Sequence, residues 1–331
     1  MRLCTNALRV LLVTLLTLLL EGACFAAESP LQITLGAIES GTVLWELEAM
    51  RKLRLDAQNN VEVTVFPLAD AKAGQIALQA GRVDVILSDF VYVSIQRNSG
   101  NMLSIVPHSL AVGGLIVNPA SDIKTVDDLK GKTLAISGSP VDKSWVILQA
   151  YYAQRTGRKL DDDAVVRFGA PPLVNELVSS GRVDAALNLW NWNVQAVLAG
   201  KTELVSVPQM LSAIGISEVP PLLGWTFTEA TAASKKPALD AFLDASFATK
   251  KVLLEDDAIW ESLRPLMKAQ DDATFTALRN EYRAGIVKSY GPNQVEAARQ
   301  TFALLGQFGG ADVVGDIPVL AEGTFWTGYG Q

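Results

Sequence analysis

One phrase is written twice in this chain. Leu78–Phe90 reads LQAGRVDVILSDF and Leu177–Trp190 reads LVSSGRVDAALNLW. Each copy passes through an apolar residue, two small or polar ones, Gly-Arg-Val-Asp, a short apolar run and a tip. The shared glycines, Gly81 and Gly181, lie 100 positions apart. Glycine is the residue that most cheaply takes the left-handed conformation ending a helix, and an apolar run directly after it reads as a buried strand. Two such copies predict two α/β units of similar construction, each delivering the carboxyl end of a strand to the rim of its sheet. Ligands of open α/β sheets bind outside those ends. The tips differ, Ser88-Asp89 in one copy and Asn188-Leu189-Trp190 in the other, as positions facing a ligand are free to do. Either tip taken alone reads equally well as an ordinary solvent-facing strand end.

The surrounding pattern repeats the same alternation. LQITLGAI (31–38), VEVTVF (61–66), VDVIL (83–87) and MLSIVP (102–107) read as strands, with helix-period segments at VLWELEAMRKL, AKAGQIALQAG and FVYVSIQRN. The alternation restarts near Thr125: TLAIS, AVVRFG and VDAALNL are strands, separated by a long helix through about Arg155 and by PPLVNELVSSG. Strands separated by helices predict mostly parallel sheets covered on both faces. Beyond about Ala230 only helix-period segments follow.

The first residues stand apart from the fold. Arg2 and Arg9 precede an uncharged run of 11 residues, Val10–Leu20, and small residues follow near Ala26. That is the pattern of a secretory signal peptide, and the run is shorter than the roughly 17–25 residues that span a bilayer. Cleavage is expected after Ala26; a lipid-modified Cys24 is the alternative, although Glu21 stands where such signals carry an aliphatic residue. Cleavage removes Cys4 and Cys24, the two cysteines, and leaves 305 residues, enough for two domains. It also takes the formal charge from −7 to −8, which argues against a nucleic-acid partner. The expectation is a soluble, exported, acidic protein without disulfides.

Signal, GRVDVILSD, TVDDLKGKTLAISGS, SGRVDAALNLW and LLGWTF together resemble the periplasmic substrate-binding proteins of ABC importers. The group resembled is the nitrate/sulfonate/taurine type, which also contains thiamine-precursor binders. The resemblance covers roughly Leu31 to Thr228, and DLKGKTLAISGS is its most specific part. It implies a two-lobe α/β fold of the type II-like class, with a hinge and a ligand cleft between the lobes. Lobe one would take residues 27–113, lobe two 114–222, and residues 223–331 would return to lobe one with a helical C-terminal part. It further implies a periplasmic monomer that hands a small molecule to a transporter permease, with no cofactor.

Carried onto this sequence, the family's binding loops are Ile38–Thr42, Ser88–Phe90, Ser137–Ser144 and Asn188–Trp192. The candidate ligand contacts are Glu39, Ser40, Gly41, Thr42, Ser88, Asp89, Ser137, Ser139, Asp142, Asn188, Trp190 and Trp192. Loops leading from strands into helices offer backbone N–H groups to an anion. These loops, however, hold Glu39, Asp89 and Asp142 against one base, Lys143, and no arginine, where a tightly held sulfonate calls for arginine or for backbone donors alone. Five of the seven tryptophans, Trp45, Trp145, Trp190, Trp192 and Trp225, fall near the expected cleft. Indoles stack on planar heterocycles and attract cations. Trp45 and Trp145 read mainly as packing, and Trp190 as a ligand contact. The chemistry favours a heteroaromatic or cationic compound, with sulfonate, taurine or nitrate as the alternative.

The single histidine, His108, reads as structural, and no nucleophile or paired-histidine motif accompanies it. Neither catalysis nor a metal site is therefore expected. An oxygen-only cation site from Glu39, Asp89 and Asp142 remains open, as do an enzyme or a sensory partner built on the same fold.

Overall fold

The structure, a computed structural model, describes residues 29–288 and 291–329. The expected signal segment lies outside the described residues. The described chain forms two five-stranded sheets flanked by helices. The first sheet has the order β2-β1-β3-β10-β4, from β1 (Leu31–Ile38), β2 (Val61–Leu68), β3 (Val85–Asp89), β4 (Leu103–Ser109) and β10 (Leu223–Thr228). The second has the order β7-β6-β8-β5-β9, from β5 (Gly113–Val117), β6 (Thr133–Ser137), β7 (Val165–Gly169), β8 (Ala185–Leu189) and β9 (Thr202–Ser206). The orders correspond strand for strand. In each sheet the fourth strand is antiparallel to both neighbours, and it is the strand that arrives from the other half of the chain.

The repeated phrase builds the same device in both sheets. Of the helices with nine or more residues, α1 covers Val43–Leu53 and α2 Ala71–Gln79, followed by α3 (Phe90–Asn98), α4 (Lys143–Thr156), α5 (Pro171–Ser179) and α6 (Trp190–Leu198). Helices α2 and α5 both run out into a left-handed glycine, Gly81 at φ 65° and Gly181 at φ 69°. The turns close with matching bonds: Arg82 N donates to Ala77 O at 2.9 Å, and Arg182 N to Leu177 O at 3.0 Å. Such a paired closure satisfies carbonyls at the helix end that would otherwise lack donors. The aspartate of each phrase then clamps the neighbouring strand, Asp84 accepting from Thr34 N and Asp184 from Thr133 N, both at 2.8 Å. The Gly-Arg-Val-Asp element thus ends a helix and sets the register of a parallel strand pair.

Short crossovers join the sheets, Leu110–Val112 between β4 and β5 and the segment before β10. The glycines at the start of those strands serve packing. A side chain at Gly113 would fall 1.9 Å from Asn188 O, and one at Gly224 would fall 2.3 Å from Ile105 Cγ1. Close approach of strands requires glycine at both positions.

The C-terminal region supplies α7 (Lys236–Glu255), α8 (Ala258–Met267), α9 (Asp272–Ala284) and α10 (Pro292–Gly309). Its helices reach over both sheets: α7 packs on α1, α9 on α6 and α10 on α4. One apolar core joins Phe90 and Ile105 of the first half to Leu115, Trp145 and Phe302, and a second lies under Trp225, Phe227 and Phe242.

Asp84→Ala and Asp184→Ala should each lower stability by about 1–3 kcal/mol, the scale of leaving a clamped backbone N–H without its acceptor. Asp84 should cost more, because its Oδ2 also pairs with Lys235 at 2.8 Å. Urea midpoints measure both, and two unchanged midpoints would show that the register is held elsewhere.

Candidate functional site

The four strand-end loops meet in pairs between the sheets. Across one contact, Asp89 at the end of β3 accepts a charged hydrogen bond from Lys143 Nζ at 3.1 Å, at the start of α4. Across the other, the Trp190 indole at the start of α6 stands edge-on to Trp45 of α1, with ring centroids 6.0 Å apart at 87°. Trp190 also meets Tyr282 of α9 at 6.4 Å. The crossovers are tied to equivalent points beside these contacts: Phe90 N donates to Leu222 O at 3.3 Å and Trp190 N to Val112 O at 2.6 Å.

The twelve candidate residues divide by location. Glu39, Ser40, Gly41 and Thr42 line a cavity of about 580 Å³, and Trp192 from the second half forms part of the same wall. Trp45, Lys268 and Asp271 also face it, so it carries indole surface, two carboxylates and one ammonium. Its volume lies within the roughly 300–1,000 Å³ of small-molecule sites. Ser88 and Ser137 are buried at strand ends, while Ser139 is exposed. Asn188 is engaged by the fold, its Nδ2 donating to Pro171 O at 3.0 Å and its Oδ1 accepting from Leu189 N. Trp190 lies in the aromatic contact between the halves. Trp145 and Trp225 are buried core residues, at 1% and 0% exposure.

Two of the helix starts expected to face an anion are occupied from within. Asp89 Oδ1 accepts from Tyr92 N at 2.8 Å, capping α3. Asp142 Oδ1 accepts from Ser144 N at 2.9 Å and Trp145 N at 3.2 Å, capping α4. Burial raises the Asp142 pKa against the pull of those bonds. Lys143 is held in its charged form chiefly by the Asp89 carboxylate, which raises its pKa against burial. Helices α1 and α6 have no side-chain cap. The oxygen-only cation site does not assemble: Glu39 and Asp89 lie in different contacts, and among the described residues no three His, Cys, Asp or Glu side chains cluster as metal ligands.

The sequence reading missed a buried polar network directly behind the aromatic contact. Glu46 of α1 is fully buried and accepts from Ser246 Oγ at 2.6 Å and Tyr282 OH at 3.1 Å, with Lys250 Nζ 3.3 Å from its Oε2. Lys250 Nζ lies 2.7 Å from His108 Nδ1. An ammonium can only donate, so Nδ1 accepts and the imidazole proton sits on Nε2. Burial, and then the Lys250 charge, hold the His108 pKa well below its ordinary value. The network joins α1, β4, α7 and α9, and thereby fixes the Tyr282 ring that Trp190 packs against. A sequence signal was present: Glu46 and Lys250 occupy apolar-face positions, Glu46 three residues beyond Val43 and Lys250 three before Leu253.

The family model described as NMT1/THI5 like matches residues 57–256. The chain belongs to the NMT1/THI5-like family. No curated protein matches it. Among solved structures, the alkanesulfonate-binding protein SsuA of Xanthomonas axonopodis pv. citri, bound to MOPS, is 18% identical with a TM-score of 0.68, covering 91% of this chain and 99% of that one. The periplasmic aliphatic sulphonate binding protein SsuA of Escherichia coli is 17% identical with a TM-score of 0.69, covering 90% and 98%. A DszB mutant in complex with biphenyl-2-sulfinic acid is 12% identical with a TM-score of 0.60, covering 88% and 97%. The shared two-lobe fold is that of periplasmic binding proteins, and DszB carries it as well.

The lone histidine gives the network a readable pH signature. Its folded pKa is depressed, so between that value and about 6.5 the unfolded chain binds a proton that the folded chain refuses, and stability rises with pH. The slope contributed should approach about 1.4 kcal/mol per pH unit. Denaturant unfolding at several pH values should show it in the parent and lose it in His108→Gln; equal slopes would assign the pH dependence to other groups.

Proposed function

We propose that this protein is the extracytoplasmic solute-binding component of an ABC importer, closing its two lobes on a small polar organic molecule without altering it. The observation that carries the reading is the cavity in which Glu39–Thr42 of the first half face Trp192 of the second. A ligand held there touches both halves at once, so its binding energy favours the closed arrangement. Family membership and the SsuA-like fold support the role; one such neighbour is named as periplasmic, and the name of another, from Methylobacillus flagellatus, includes a sulfonate ABC transporter. Among the described residues no helix is long and apolar enough to cross a membrane.

The ligand class favoured by the wall chemistry is a compound with a planar or cationic part. The half-buried Trp192 offers indole surface beside the nearly buried Trp45, and Glu39 offers an exposed carboxylate. A sulfonate is the second reading, supported by the uncapped start of α1 beside Lys268 and by the ligands named for both SsuA proteins. Asp89 and Asp142 weigh against that reading, because each fills with its own carboxylate a helix start that an anion would otherwise use. Glu39, Ser40, Gly41, Thr42 and Trp192 are the proposed contacts, with Asp89 and Lys143 closing the opposite side of the cleft.

Native mass spectrometry of freshly purified protein should show a retained small molecule of unchanged mass. A thermal-shift panel of taurine, alkanesulfonates, nitrate, thiamine-like heterocycles and quaternary amines then tests its class. A true ligand at a hundredfold excess over its Kd adds about 2.7 kcal/mol of stability, and Trp192→Ala should remove about 1–3 kcal/mol of its affinity. Shifts with sulfonates alone would reverse the order of the two ligand readings, and conversion of the ligand would refute the binder.

A further inference from the structure

Beyond the two crossovers, the C-terminal segment also spans the halves. Helix α10 lies on α4 of the second half, where Phe302 and Leu305 are fully buried in the core that contains Trp145 and Val146. At the end of α10, a Cβ added to Gly309 would stand 3.3 Å from Val146 Cγ2 of α4. The next turn, Ala311–Val314, packs instead on α3 of the first half. Gly310 (φ 64°, ψ −160°) and Gly315 (φ 76°, ψ −176°) bracket that turn. Both lie in a backbone region that is essentially glycine-only, so the chain bends sharply on each side of the step from one half to the other.

Past Gly315 the tail is fastened along α3 and β4. Asn98 Nδ2 donates to Val319 O at 2.9 Å and to Ile317 O at 3.3 Å. Ala321 N donates to Ser94 Oγ at 2.9 Å, and Arg97 Nε to Glu322 O at 2.6 Å. The tail then pairs with β4, Ile105 N donating to Thr324 O and Trp326 N to Ile105 O, both at 2.9 Å. Strand β4 is an edge of its sheet, and covering an edge is a sufficient role for Thr324–Trp326 alone. That role leaves unexplained why α10, on the same stretch of chain, is seated on the other half. The helices so joined, α3 and α4, are those whose starts carry the Asp89–Lys143 pair across the cleft.

We infer that residues 292–326 form a strap, with α10 as its foot on the second half and the tail as its foot on the first, and that the strap limits how far the cleft opens. Parting the halves either lifts α10 from α4, which brings Phe302 and Leu305 into water, or breaks the row of hydrogen bonds on α3 and β4. Only the short stretch between the two glycine bends can yield, and it has little length to give. The strap rests on the proposed function, in which the halves close on a solute, but it acts on them whichever solute is taken.

Small-angle X-ray scattering of the protein without added solute tests this. Six Gly-Ser residues inserted between Gly310 and Ala311 give the strap about 12–15 Å of extra root-mean-square reach. That variant should show a larger radius of gyration and maximum dimension, with the parent's circular dichroism. The same insertion after Gly157, an exposed turn with nothing within 4 Å of an added Cβ, is the control and should produce no such opening. Asn98→Ala, which removes the bonds to Ile317 and Val319, should shift the radius in the direction of the strap insertion. Equal radii for the two insertions would overturn the proposal and reduce the segment to a cover for the β4 edge. If the strap insertion does not fold, Asn98→Ala decides, and an unchanged radius there overturns it as well. Solute retention is read separately by native mass spectrometry, so a failed strap and a failed binder give different results.

Discussion

Each sheet in this protein is completed by a strand that the chain supplies only after leaving the other sheet. Strand β5 lies between β8 and β9, and β10 between β3 and β4, both antiparallel to their neighbours. The crossovers are therefore continuations of buried strands and emerge from the core with little slack. Their carbonyls reach the helix starts beside the cleft, at Phe90 and Trp190. The candidate ligand loops are thus positioned by the same backbone that joins the two sheets.

Much of this was legible in the sequence because the signals were local and periodic. Gly81 and Gly181 do end helices in the left-handed region, and the strands follow where the apolar runs begin. The matched orders of the two sheets are what a phrase repeated at 100 positions implies. The aspartates of the phrase were harder to assign. Their acceptor role depends on Thr34 and Thr133, about 50 residues away in each case, and no pattern within the phrase points to those partners.

Charge was the least legible property. Counting acids and bases in the four loops treats every carboxylate as available to a ligand, whereas Asp89 and Asp142 cap helices and Asp89 also pairs with Lys143. Conversely, Glu46 and Lys250 lie buried, at 0% and 2% exposure, and neither entered the count of loop charges. A buried ion pair contributes little net stability, since desolvation offsets most of its attraction, but removing one partner is costly. Its evident effect here is geometric: it fixes Tyr282 and sets the ring surface presented to the second half.

That ring surface has an optical consequence. Trp190 is carried by the second half, whereas Trp45, Trp260 and Tyr282 belong to the first, and all lie within one cluster of rings. Any widening of the cleft moves one indole from the company of other aromatic rings into water and leaves its partners newly exposed. Emission wavelength and quenching of the native fluorophores thus follow the angle between the halves, so the molecule carries its own gauge of opening, with no dye attached.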